Sequence, residues 1–289
     1  PVDADKDGPG LMLPGTVTVW VNKGIRVDDG VGVPDRVIGS GFFVDPRGYL
    51  ITNHHVIQSE VDPTYEGYSR LFVKLPGRPD ERVPARVIGY DRIFDLALLK
   101  VEIDPEYVFS LSDIKTLVPG QRVLAFGSPG GLDSTITSGI ISAAGRRFLQ
   151  MGEAMQVDVP INPGNSGGPL VLPSGQVAGV VFAGLEQFEG VNFAIPTYWI
   201  RHFFPQLFEK GEVEHAWLGL SVRSTSTGLE TVYVAPESPA DRAGVEVGDV
   251  LTHLNGKTGL TLADAQDQLL GIDAGYLVHT VWQKSEEND

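Results

Sequence analysis

The chain has 289 residues, with 22 Lys and Arg against 37 Asp and Glu for a formal net charge of −15. That balance argues against nucleic acid or anionic membrane as the main partner, since both need clustered cations, and the absence of cysteine excludes disulfides, thiolate zinc sites and a cysteine nucleophile. With 35 glycines and 20 prolines between short Val/Ile/Leu-rich runs, the composition favours an all-β body, and the length suits two or three cores at about 100–200 residues per domain.

The polar start Pro1-Val2-Asp3-Ala4-Asp5-Lys6-Asp7 is not a signal peptide, and residues 1–13 are expected to be a disordered arm. From Val17 to Val101, apolar runs alternate with turn signals such as Asp28-Asp29-Gly30, Asp45-Pro46-Arg47-Gly48 and Pro76-Gly77, which predicts one barrel of six or so strands. A second set runs from Leu117 to Ile195, with turns at Ser128-Pro129-Gly130-Gly131 and Pro173-Ser174-Gly175. Thr197 to Lys210 reads as a helix with Trp199, Phe203 and Leu207 on one face, Pro205 as a kink and Gly211 as its stop. From Ala216 the character changes, and a helix is expected at Leu262 to Leu270. No run of about 18 apolar residues is present to span a membrane as a helix.

The densest chemistry lies at Ile161-Asn162-Pro163-Gly164-Asn165-Ser166-Gly167-Gly168-Pro169-Leu170. A serine among glycines lets a carbonyl approach both Oγ and the local N–H groups. In the segment Gly164-Asn165-Ser166, the N–H groups of Gly164 and Ser166 are the candidate oxyanion donors, each worth about 10²–10³ in rate. The same peptide satisfies the Gly-x-Ser-x-Gly elbow of an α/β-hydrolase, but its flanks read strand, turn, strand, without the helix that elbow requires. Partners are therefore sought upstream, in the order His, Asp, Ser.

Thr52-Asn53-His54-His55-Val56 follows the apolar Tyr49-Leu50-Ile51, and Asp95-Leu96-Ala97-Leu98-Leu99-Lys100-Val101 is an acid opening a strand. The chymotrypsin-like histidine falls three residues after a threonine, which selects His55 and leaves His54 as its neighbour. Asp91, Asp104 and Asp113 sit among loop-like residues, so Asp95 is the candidate acid. In a Ser-His-Asp triad, Ser166 attacks, His55 moves the proton and Asp95 fixes the imidazole tautomer. This chemistry needs no cofactor. No metal motif is present either, because adjacent His54-His55 lack the i, i+4 spacing of a helical zinc site.

With Gly39-Ser40-Gly41-Phe42 and Asn192-Phe193-Ala194-Ile195-Pro196, these motifs resemble the HtrA/Deg serine proteases from about residue 14 to the end. The resemblance implies a mostly β fold, with a chymotrypsin-like double β-barrel over residues 14–211 and a small α+β PDZ domain over 212–289. In that domain Trp217-Leu218-Gly219-Leu220 would be the loop whose N–H groups take a peptide carboxylate. The stretch from Leu220 to Val232 is short for the family and a final strand is expected to be missing, so the domain is compact, incomplete or followed by a second.

The implied function is an ATP-independent endopeptidase of protein quality control and stress response. It would act on unfolded proteins and peptides, be tuned by C-terminal peptides, and assemble as a homotrimer or higher oligomer. The implied location is extracytoplasmic (periplasm or cell envelope) or organellar. Trp20 is either simple core or part of a trimer contact, and Arg146 matches a family arginine that links the PDZ domain to the activation loop. The pocket floor, six residues before the serine, is Pro160, with Ile161 and Val181-Phe182-Ala183 as apolar walls. Cleavage is therefore expected after small or medium aliphatic residues. A non-catalytic peptide-binding chaperone is the rival reading, and the complete triad argues against it.

Overall fold

The structure is a computed structural model that describes residues 8–113, 117–131, 135–147, 153–184 and 190–284. It divides into two compact units, Pro1–Val213 and Glu214–Asp289.

The first unit begins with β1 (Thr16–Asp28), β2 (Val31–Asp45) and β3 (Tyr49–Thr52), followed by α1 (His54–Val61). Then come β4 (Arg70–Leu75), β5 (Arg78–Asp91) and β6 (Leu96–Val101), and the six strands close in the order β1-β2-β3-β6-β5-β4. On β1 the alternating Val17, Val19 and Val21 point inward and are buried with Phe43, Leu50 and Leu99. The β1–β2 hairpin turns on Asp29 and Gly30, both at positive φ (46° and 80°), the conformation whose twist matches that of the flanking strands.

A second barrel contains β7 (Arg122–Gly127), β8 (Thr135–Arg147), β9 (Glu153–Val157), β10 (Pro169–Val171), β11 (Val177–Gly184) and β12 (Asn192–Pro196). It closes in the order β10-β11-β12-β9-β8-β7. A chain of rings joins the barrels. Phe42 on β2 meets Phe109 edge-on at 5.7 Å, and Phe109 meets Phe126 on β7 at 5.9 Å. All three are fully buried, and burying each such side chain stabilises the pairing by roughly 1.5–3 kcal/mol.

The helix α2 (Thr197–Glu209) places Trp199, Phe203 and Leu207 inward, as its periodicity predicts, with Pro205 inside it and Gly211 at φ 82° beyond its end. Trp199 and Phe203 hold the ring of Phe94 at 4.9 and 4.8 Å, and Phe94 is the residue before the candidate acid. The contact is close: a Cβ on Gly89 of β5 would stand 2.1 Å from the Leu207 carbonyl oxygen, so only glycine lets helix and strand meet there.

The second unit holds β13 (Leu220–Ser224), β14 (Leu229–Val234), the single-turn α3 (Pro239–Arg242), β15 (Val250–Leu254), β16 (Lys257–Thr258), α4 (Leu262–Leu270) and β17 (Thr280–Gln283). Its sheet runs β13-β14-β15-β16, with β17 also on β15. Leu229, Leu251, Leu254, Leu260 and Ala265 form its core. Thr261 and Asp264 make a reciprocal capping box at the start of α4.

At the N-terminus the structure differs from the expected arm, since Pro9–Gly15 is a 3₁₀ helix. Gly15 packs so tightly on Tyr107 and Phe109 that a Cβ there would lie 2.7 Å from one ring and 2.8 Å from the other. This docking depends on a contact about ninety residues away in sequence, which local composition does not reveal. Residues 1–7 of the expected arm lie outside the described residues. Trp20 is half-buried against Phe72, with Arg36 and Lys74 over its ring at 4.9 and 4.6 Å.

Candidate active site

The site forms where the two barrels face each other, and it begins at the N-terminus of α1. The first N–H groups of a helix lack intrahelical partners. Here Asp95 supplies them from the start of β6: His54 N–H donates to the Asp95 carbonyl at 3.2 Å, and His55 N–H donates to Asp95 Oδ1 at 2.7 Å. The Asn53 side-chain amide also donates to the Asp95 carbonyl, at 2.8 Å. Asp95 Oδ2 is 2.6 Å from His55 Nδ1. One residue thus caps the helix and orients its imidazole. To do so Asp95 adopts φ +52°, a left-handed conformation that Asp tolerates better than most residues. Asp91 has a different task, its Oδ1 accepting from the N–H groups of Ile93 and Phe94 in the preceding turn.

Across the cleft, Ser166 Oγ donates a long hydrogen bond of 3.4 Å to the Phe182 carbonyl. Among the described residues no hydrogen bond joins Ser166 to His55, so a nucleophilic role for Ser166 would need its hydroxyl to turn toward the imidazole. Such bonds tighten when substrate binds.

The backbone around Ser166 is held peptide by peptide. The Pro163 carbonyl accepts from Gly130 N–H at 2.8 Å, Gly164 from Ser40 Oγ at 2.6 Å, Asn165 from Gly168 N–H at 3.0 Å and Ser166 from Ser40 N–H at 2.7 Å. The N–H of Asn165 donates to Asn162, and that of Gly167 to Val181. Two N–H groups of this run, those of Gly164 and Ser166, have no acceptor among the described residues. Because each peptide is trans and planar, the anchored Pro163 and Asn165 carbonyls turn these two donors to the opposite side. Asn165, which the sequence grouped with them, already uses its N–H, and its side chain is buried.

Of the expected pocket residues, Pro160 is exposed and its carbonyl accepts from Thr137 Oγ1 at 3.3 Å, while Ile161 is half-buried against the second barrel's core. Val181 belongs to that core, and Phe182 is buried beside Phe193. Ala183 lies on β11, and its side chain is outside the described residues. Arg146 is exposed on β8 and its Nε donates to Gln156 at 3.1 Å.

In the second unit, Trp217 is exposed and Gly219 takes φ +77°. The Leu218 and Gly219 carbonyls accept from Ala240 and Ala235, whereas their N–H groups have no acceptor among the described residues. A cavity of ≈ 440 Å³ beside this loop is lined by Trp217, Leu218, Leu220, Leu277, Val278 and Trp282, among others, and by no residue of α4.

His54 is packed 5.4 Å from the Tyr90 ring, with its Nε2 buried and without a hydrogen-bond partner among the described residues. Burial holds its pKa below the ordinary 6.5, outweighing the opposing pull of the Asp95 charge. A histidine whose folded pKa is lowered takes up its proton more readily when unfolded. Stability therefore rises with pH up to the unfolded value of about 6.5 and is lost as pH falls beneath it. Urea titrations at a series of pH values should show this slope in the wild type and a smaller one in His54→Asn, which should retain turnover. Equal slopes would contradict the assignment.

Among the described residues no cluster of His, Asp and Glu is arranged to hold a metal, and no helix is long and apolar enough to cross a membrane.

Comparison with known proteins matches residues 39–180 to a trypsin-like peptidase domain and residues 230–283 to a PDZ domain. The chain is 38% identical over 238 residues to the probable periplasmic serine endoprotease DegP-like of Marinomonas sp. (strain MWYL1), a match covering 76% of this chain and 49% of that protein. With the putative serine protease HhoB of Synechocystis sp. it shares 34% identity over 257 residues, covering 80% of this chain and 59% of the other. The chain spans about half the length of the curated relatives it matches. A solved serine endoprotease from Yersinia pestis is 30% identical with a TM-score of 0.74, over 95% of this chain and 91% of that one. The HtrA-type protease AlgW, solved with a tripeptide, gives a TM-score of 0.81 at 27% identity, over 95% and 91% of the respective chains.

Proposed function

The chain belongs to the HtrA/Deg family of serine proteases, and from that premise we propose that its first unit is an ATP-independent serine endopeptidase acting on unfolded polypeptides. The observations that carry this reading are the Gly164 and Ser166 N–H groups, without acceptors among the described residues, and the packing of Gly167 against Thr52 and Asn53, which precede the Asp-oriented histidine. Ser166 Oγ attacks the scissile carbonyl while His55 Nε2 takes its proton. The tetrahedral oxyanion is stabilised by the two N–H groups, and the amine departs with the proton from His55, leaving an acyl ester on Ser166. Water, deprotonated by the same imidazole, then releases the acid and restores the hydroxyl. The open, solvent-facing position of His55, 44% of whose side chain is accessible, suits extended polypeptide segments rather than an enclosed small molecule. The wild-type chain should degrade β-casein and spare a folded protein of similar size. Hydrolysis of neither substrate would overturn the reading.

The second unit, on the same premise, binds the free carboxyl terminus of a peptide at Trp217-Leu218-Gly219-Leu220 and thereby alters turnover at Ser166, with Arg146 of β8 as the linking residue that family membership implies. The N–H groups of Leu218 and Gly219, without acceptors among the described residues, and the adjoining apolar cavity support this. Calorimetry on the full chain should show a peptide with an apolar last residue binding as the free acid and losing affinity when amidated. The free acid should also change the rate of casein cleavage, with a coupling of about 1–3 kcal/mol as is usual between linked sites. Equal affinity for both peptides would contradict it. Names of relatives such as the DegP-like endoprotease support an extracytoplasmic location. Assembly as a homotrimer or higher oligomer is the arrangement we infer from family membership, to be read by sedimentation velocity.

A further inference from the structure

Ser40 is a polar residue in the middle of the fully buried run Gly39–Phe43 of β2, and its own exposure is 0%. A hydroxyl there is costly unless its hydrogen bonds are met. Ser40 Oγ donates to the Gly164 carbonyl at 2.6 Å and accepts from Ser128 N–H at 2.9 Å. Its backbone N–H donates to the Ser166 carbonyl at 2.7 Å, and its carbonyl accepts from Thr52 Oγ1 at 2.7 Å. The side chain comes from the first barrel and both of its partners from the second, 124 and 88 residues away.

Two segments meet at this hydroxyl. One is the nucleophile loop, where Gly164 at φ 104° and Gly167 at φ 88° leave the backbone free of side-chain restraint. The other is the Ser128–Gly131 turn, whose Gly130 N–H holds the Pro163 carbonyl and whose Gly131 N–H returns to Ser128. Rotating the Pro163–Gly164 peptide by half a turn would aim a carbonyl where a donor is needed. Gly130 N–H is the direct anchor against that rotation, while Ser40 holds the neighbouring Gly164–Asn165 peptide and the Ser128 end of Gly130's own turn. The hydroxyl thus closes a ring of hydrogen bonds around the Gly164 donor.

We propose that Ser40 is the positioning residue of the oxyanion hole: its buried hydroxyl fixes the Gly164–Asn165 peptide and the Ser128–Gly131 turn, and through Gly130 of that turn the Pro163–Gly164 peptide, so that the Gly164 and Ser166 N–H groups converge. It touches no substrate and acts through these peptides. This rests on the acyl-transfer reading above, so the test begins by comparing wild type with Ser166→Ala on a peptide substrate. If Ser166→Ala turns over like the wild type, the acyl-transfer reading falls and the role of Ser40 falls with it.

Where Ser166→Ala is inactive, Ser40→Ala should lower kcat by at least about tenfold, bounded by the 10²–10³ that loss of one oxyanion donor costs. KM should be unchanged. A peptide aldehyde, whose adduct with Ser166 places an oxyanion between the two N–H groups, should weaken by the same factor as kcat/KM. Ser40→Thr, which keeps the hydroxyl, should restore both. If Ser40→Ala does not fold, Ser40→Cys keeps the volume with a weaker donor and is read in the same way. An unchanged kcat, a loss carried wholly by KM, or undiminished aldehyde affinity would overturn the role of Ser40 while leaving acyl transfer in place.

Discussion

Replacing Ser166 with Ala should reduce kcat for casein or a quenched-fluorescent peptide by about 10⁵–10⁶-fold while the protein keeps its fold. The change removes one oxygen whose hydrogen bond to Phe182 is long at 3.4 Å, so little stability is at stake. The peptides around Ser166 are anchored through their backbones, by Ser40, Gly168 and Val181, and those anchors survive the substitution. Because the triad acts as a unit, His55→Ala should lose nearly as much, and the double variant should be scarcely worse than either single one. Additive losses, or residual turnover close to wild type, would show that another group attacks.

The second large effect is expected from Asp95→Asn, which should lower kcat by about 10⁴. The Asn oxygen can still accept from the His55 backbone N–H in place of Oδ1, so α1 keeps that cap. Its amide nitrogen then faces His55 Nδ1, where Oδ2 now lies at 2.6 Å. Two donors cannot share that contact. Nδ1 must present its lone pair, the proton moves to Nε2, and Nε2 can no longer accept from Ser166. Asp95→Ala should lose activity and, in addition, about 1 kcal/mol of stability, the usual cost of deleting a helix N-cap. A steady-state assay paired with urea unfolding separates the two. If Asp95→Asn is as active as wild type, Asp95 has no part in setting the tautomer.

Much of this architecture is readable from local pattern. The alternation Val17, Val19, Val21 and the turn at Asp29-Gly30 mark a hairpin in the sequence itself. The two barrels follow from repeated signals of this kind, and the spacing of Trp199, Phe203 and Leu207 marks α2. What escapes is whatever depends on distant partners. Asp95 can be picked as an acid opening a strand, but its capping of α1 arises from a contact spanning 40 residues. Ser40 is visible only as a hydroxyl amid an apolar run, and its importance lies in Gly164 and Ser128, which tertiary structure alone brings to it. Val181 was expected to form a pocket wall from its place at a strand end. Every residue from Val177 to Phe182 is buried, so β11 is covered on both faces and its sequence carries no alternation that would tell a core position from a pocket wall.

The account stands or falls on Ser166 as the nucleophile, and covalent labelling tests it most directly. A fluorophosphonate reagent should form one phosphonate ester per chain, with Ser166 Oγ bonded to phosphorus, fluoride as leaving group and the proton passed through His55. Intact-mass measurement should show a single adduct appearing in step with loss of peptidase activity, and fragmentation should place it within Asn162–Leu170 on Ser166. His55→Ala should label far more slowly. An adduct on another residue, or full loss of activity with Ser166 unmodified, would contradict the account.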